Sequence, residues 1–231
     1  MQQALVRAIG GAALAAAALA AAGAASAPDA PGADLPGGRW QTSFAAFAAA
    51  DAAHRPAPGG IVFVGSSSIR LWSDLETQFG ERRIVKRGFG GSSMADCARY
   101  ADRLVVPYRP RLVVVYAGDN DLAEGRTPAQ VLDSYARFVE AVQAALPDTR
   151  IAYLSIKPSP RRAALMPAMR ETNAAIAAWS RRDPRLDFID VYSPMLDGDG
   201  RPRPELFRAD ALHLNAAGYR LWKEAIAAHL R

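Results

Sequence analysis

The chain has 231 residues, half of them hydrophobic, enough to bury one sizeable α/β core and too few for two ordinary domains. Its 28 Lys and Arg against 23 Asp and Glu give a formal charge of +5, spread as mixed signs without clustered basic patches, which argues against nucleic acid as a partner. The one cysteine, Cys97, excludes an internal disulfide, and no Cys/His set has zinc spacing.

Arg7 precedes a run of almost pure Ala, Gly and Leu over 8–25, closing on Ala25, Ser26 and Ala27. A basic start, a short apolar middle and small terminal residues read as a signal peptide over 1–27, so the mature protein is expected to be periplasmic or secreted. Cleavage after Ala25 is the other option, because Pro28 follows Ala27, and a retained anchor helix is the runner-up. Removal of the leader takes away Arg7 and no acid, leaving 27 − 23 = +4 and no stable membrane span. Residues 28–58 read as a Pro/Gly linker with a short apolar helix at about 44–53, and a single domain spans 59–231.

From residue 59 onward, continuous apolar runs alternate with amphipathic segments, the pattern of parallel strands buried on both faces and joined by helices. Strands are expected at 61–64, 84–86, 112–116, 151–155 and 186–191. Ile69, Trp72, Leu75 and Phe79 recur at helical spacing, and further helices are expected at 94–104, 128–146, 163–179 and 216–230. Thr127, Pro128 and Gln130 form a capping-box signature at the start of the third of these five. In such an α/β layout ligands sit at the carboxyl ends of the strands, so the loops after each strand are where chemistry is sought.

After the first strand comes Gly65-Ser66-Ser67-Ser68. A serine between a strand end and a helix start has free backbone N–H groups that suit a developing oxyanion, although the same residues serve as a helix cap. After the second strand, Gly88-Phe89-Gly90-Gly91 allows close backbone approach, and it fails as a dinucleotide fingerprint because Ser93 stands where the third glycine is needed. After the third, Gly118-Asp119-Asn120-Asp121 offers a side-chain amide donor, or simply a turn. Lys157-Pro158-Ser159-Pro160 follows the fourth strand, as a cleft wall or a rigid loop. Before the last helix, Asp210 precedes His213 by three residues, a spacing at which the carboxylate can hold the imidazole. His54 and His229 read as surface residues. Asp197-Gly198-Asp199-Gly200 reads as a turn, because the continuation of a calcium loop is missing.

The blocks after the first three strands and the Asp210–His213 block, four in this order, resemble the SGNH (GDSL-type) hydrolase family over residues 61 to about 224. The resemblance implies a three-layer α/β/α sandwich of the flavodoxin-like kind with five parallel strands. It also implies Ser67 as nucleophile and oxyanion donor, Gly91 and Asn120 as the other donors, His213 as base and Asp210 beside it, with no cofactor and no metal. The family's Gly-Asp-Ser reads Gly65-Ser66-Ser67 here, so an acidic residue is absent, and the neighbouring serines leave Ser66 and Ser68 open as nucleophiles. The expected activity is carboxylic ester hydrolysis on a small-molecule, lipid or glycan ester, falling below about pH 6.5 where a reference imidazole charges. The rivals are an acyltransferase to a sugar or lipid hydroxyl and a catalytically silent envelope- or glycan-binding module. Oligomeric state is not written in the sequence.

Overall fold

The computed structural model describes residues 38–80 and 82–230, so the leader expected at 1–27 and the linker up to residue 37 lie outside the described residues. In chain order the elements are α1 Gln41–Ala53, β1 Ile61–Gly65, α2 Ser67–Arg70, β2 Ile84–Gly88, α3 Met94–Arg99, α4 Ala101–Leu104, β3 Leu112–Tyr116, α5 Asp119–Ala123, α6 Pro128–Ala145, β4 Arg150–Leu154, α7 Met166–Ser180, β5 Leu186–Ile189 and α8 Ala216–Ala227. The five strands form one parallel sheet in the order β2-β1-β3-β4-β5.

The runs Ile61-Val62-Phe63-Val64 and Leu112-Val113-Val114-Val115 are buried throughout, because helices cover both faces of the sheet. Alternate residues point to opposite layers. Val62 and Val64 join a core with Phe44, Met94, Phe138 and Ile176, whereas Ile61 and Phe63 join one with Trp72, Tyr219, Trp222 and Ile226. Helix α6 starts as its sequence requires: Thr127 Oγ1 accepts from Gln130 N (3.3 Å) and Gln130 Oε1 from Thr127 N (2.9 Å). Among the described residues, no helix is long and apolar enough to cross a membrane.

Several element boundaries depart from the sequence reading. The helix expected through Ile69, Trp72, Leu75 and Phe79 is only the one turn of α2, followed by turns up to Gly80, yet all four side chains are buried. Their spacing reports which side chains face inward. A chain of successive turns satisfies that as well as a continuous helix does, and here Trp72 packs against Phe79 on one side and Tyr219 and Trp222 on the other. The helix expected at 94–104 breaks at Tyr100 (φ −107°, ψ 18°), whose ring packs 4.9 Å from that of Phe44. The one expected at 163–179 opens as a 3-10 segment, Pro160–Leu165, and becomes α-helical only at Met166, with Pro167 in its first turn, where a missing N–H costs nothing. Strand β5 stops at Ile189 because Asp190 Oδ1 draws in the N–H groups of Tyr192 (2.9 Å) and Ser193 (3.0 Å). Helix α8 ends at Ala227, short of the expected 230.

Candidate active site

Parallel strands bring all their carboxyl ends to one edge, and the loops after β1, β2 and β3 meet there. Gly65 (φ +144°) ends β1 so close to β3 that a Cβ on it would stand 1.9 Å from Tyr116 O, an approach only glycine permits. Ser66 N then donates to Tyr116 O (3.0 Å), and α2 begins at Ser67. Ser66 and Ser68 are buried, and their hydroxyls have no hydrogen-bond partner. Ser67 is half-buried, and its Oγ lies 3.0 Å from His213 Nε2. Of the three adjacent serines, Ser67 is the one the fold sets against the imidazole.

The other side of the imidazole is held by a tight loop. His213 Nδ1 lies 2.7 Å from Asp210 Oδ2, while Asp210 Oδ1 accepts from the backbone N–H of Leu212 (3.0 Å) and of His213 (2.9 Å). Ala211 takes a left-handed conformation (φ +56°) to close this turn, and Arg208 N donates to His213 O (2.8 Å). Directly after it, Asn215 Oδ1 caps α8 by accepting from Ala217 N (2.9 Å) and Gly218 N (3.1 Å). The hydrogen bonds from the His213 ring and then from the two backbone groups hold the Asp210 carboxyl well below the usual carboxylate range. An anionic Asp210 can only accept, so the ring proton sits on Nδ1 and Nε2 turns its lone pair toward Ser67.

Gly91 and Asn120 line, with Ser67 and His213, one cavity of ≈ 500 Å³. Gly91 adopts φ +74°. Asn120 Nδ2 donates to Ser92 O (3.0 Å), and its Oδ1 accepts from Arg162 Nη2 (2.9 Å). These two bonds fix which way the amide faces and leave its second N–H for the cavity. The five residues singled out from the sequence therefore meet at one sheet edge.

Beneath Asn120 lies a buried ionic cluster. Asp119 Oδ2 is 3.1 Å from Lys157 Nζ and 3.0 Å from Arg162 Nη1, and Lys157 also donates to the Tyr116 hydroxyl (3.3 Å). Burial alone would raise the Asp119 carboxyl, but Lys157 and Arg162 outweigh it and the net shift is downward. Asp121, also buried, takes both carboxylate oxygens to Met94 N (3.1 and 2.9 Å), and burial pushes its carboxyl up to about 6. Lys157, which the sequence offered as a cleft wall or part of a rigid loop, is turned into the interior and does not line the cavity.

Sequence reasoning missed four residues at or beside the cavity. Arg39 Nη2 donates to Gly91 O (3.0 Å) and Trp40 Nε1 to Gly90 O (3.0 Å), so the segment before α1 braces the glycine loop. Arg70 borders the cavity from α2, and Arg162 orients Asn120. Arg39 and Trp40 follow a Gly/Pro stretch with no periodicity, and no spacing rule marks them. Asp197 Oδ1 accepts from Asp199 N (2.9 Å) and Arg201 N (2.8 Å), the contacts of a turn. Among the described residues, no group of three His, Cys, Asp or Glu side chains could hold a metal ion.

The GDSL-like lipase/acylhydrolase family model matches residues 59–221. Among solved structures, a GDSL-like lipase from Bacteroides thetaiotaomicron superposes with TM-score 0.69 and 22% identity, over 81% of this chain and 96% of that one. A Streptococcus pneumonia protein provisionally described as a platelet activating factor gives TM-score 0.73 and 21% identity over 82% of this chain and 92% of its own. A carbohydrate esterase family 3 protein from Talaromyces cellulolyticus gives TM-score 0.60 and 19% identity, over 74% and 96% respectively. The five-stranded parallel sheet between helical layers is the fold they share with this chain. No curated protein matches the chain.

Proposed function

The chain belongs to the GDSL-like lipase/acylhydrolase family, and from that premise we propose that it hydrolyses carboxylic esters through an acyl-enzyme on Ser67. The observation that carries the proposal is the chain of contacts Asp210 Oδ2, His213 Nδ1, His213 Nε2, Ser67 Oγ, at 2.7 and 3.0 Å, at the wall of a cavity that Asn120 also lines. His213 takes the Ser67 proton as Oγ attacks the ester carbonyl, and Asp210 stabilises the imidazolium that results. The tetrahedral oxyanion is held by the backbone N–H groups of Ser67 and Gly91 and by the Asn120 amide. His213 then protonates the leaving alcohol, and the same steps with water release the acid. No step calls for a cofactor.

Ser66, in place of the family's acid, leaves this cycle intact, since neither the proton relay nor the oxyanion donors pass through it. Export to the periplasm or beyond is part of the same proposal and rests on the composition of residues 1–27.

The test is hydrolysis of an aryl acetate and an aryl octanoate by the mature protein, beside Ser67→Ala and His213→Ala. Each variant is expected to lose at least ~10³-fold in kcat. Wild type no faster than both variants would replace the esterase by a binding module. Acyl transfer to an added alcohol outrunning hydrolysis would make it a transferase.

A further inference from the structure

Two arginines border the Ser67 cavity without any part in the acyl-transfer steps: Arg39, before α1, and Arg70, at the end of α2. They press on the backbone of the glycine loop. A Cβ at Gly90 would stand 2.7 Å from Arg70 Nε, and one at Gly91 would stand 2.6 Å from Arg39 Nη2. The paired glycines thus leave the space that the two guanidiniums occupy.

Among the described residues, neither cation has a carboxylate to answer it. Arg39 spends one donor on Gly91 O and lies over the Trp40 ring at 4.9 Å, and among the described residues the Arg70 guanidinium has no hydrogen-bond or ion-pair partner. The acidic residue that lines the cavity is Asp119, and Lys157 and Arg162 already hold it. Counting the described residues, the cavity therefore keeps two positive charges without a counter-carboxylate, on planar donors suited to a forked oxyanion, in a space large enough for a small charged ester.

We infer that the ester accepted by this cavity carries an anionic group, a carboxylate or a phosphate, which the guanidiniums of Arg39 and Arg70 bind while Ser67 attacks the carbonyl. The inference rests on the ester-hydrolase reading above. Both guanidiniums are exposed at the cavity mouth, so their attraction acts on capture of such a substrate, and the effect belongs in kcat/KM and weakens with salt.

The experiment compares esters matched except for charge. On the alcohol side these are para-acetoxybenzoate with its methyl ester, and para-acetoxyphenyl phosphate with its dimethyl ester. On the acyl side they are the mono-para-nitrophenyl ester of adipic acid and its methyl ester. The readout is the ratio of kcat/KM for the charged over the neutral member, taken within each protein so that general losses of activity cancel. In wild type at low salt at least one pair is expected to give a ratio of ~10 or more. That ratio falls toward unity at high salt, drops several-fold in Arg39→Ala and inverts in Arg70→Glu. The pair with the largest ratio names the carboxylate or the phosphate, and the side of the ester that bears it. Ratios at or below one in every pair, or a ratio unmoved by Arg70→Glu, overturn the inference while leaving the esterase standing. Failure of wild type to hydrolyse any of these esters removes the esterase reading and this inference with it.

Discussion

Asp210 and Asp119 both serve groups that line the Ser67 cavity, one behind His213 and the other beneath Asn120, and they are kept anionic in opposite ways. The Asp210 side chain is 45% exposed and is satisfied by three N–H groups of its own turn. The Asp119 side chain is 6% exposed and is balanced by Lys157, itself 1% exposed, and by Arg162. Water already solvates the first carboxylate, so its local bonds decide orientation and add little to folding. The second is cut off from water, where losing a partner strands a charge and the cost falls on the fold. Orientation of the His213 ring and structural support beneath Asn120 are thus divided between a local exposed turn and a long-range buried cluster.

Asp210→Asn gives the sharpest separation. The side chain still fits the turn but no longer stabilises an imidazolium, and hydrolysis is expected to fall by ~10²–10⁴ with the thermal midpoint nearly unchanged. A large drop in the midpoint with activity per folded molecule retained would make Asp210 structural and erase the contrast. Lys157→Met should behave the other way, losing ~3 kcal/mol in urea unfolding because Asp119 keeps only Arg162. A loss below about 0.5 kcal/mol would mean that Arg162 alone neutralises Asp119.

A smaller effect separates the two regions by pH. The Asp210 carboxyl is depressed, so the stability it contributes is present above the unfolded carboxyl value near 4 and fades as acid protonates it. Asp121, packed beside the buried cluster, is raised to about 6 by burial. Between about 4 and 6 the folded state holds a proton on Asp121 that the unfolded state has released, so this group makes stability fall as pH rises through that window. Asp121→Asn should remove that contribution. The wild-type-minus-variant stability, followed by denaturant unfolding, should decline from about pH 4 to 6 and level off above it. A flat difference would show that the two bonds from Met94 N offset the burial of Asp121.

What could be read from the sequence follows the range of the forces involved. The runs at 61–64 and 112–116 announce strands because burial on both faces demands unbroken apolar residues, and the Asp210–His213 turn is legible because its bonds close within three residues. The helix expected through Phe79 was not borne out, since inward spacing specifies burial and not backbone continuity.

The amino-acid sequence by itself determined the strands of the α/β alternation, the glycine cluster at 88–91 that permits close approach, and the pairing of Asp210 with His213, all set by local sterics or short-range bonds. Only the tertiary structure decided which of three serines faces the imidazole across 146 residues of chain. It alone brought Arg162 to the Asn120 amide and set Arg39 and Arg70 against the glycine loop. Those contacts join segments with no common periodicity, and they exist only because parallel strands deliver their ends to a single edge.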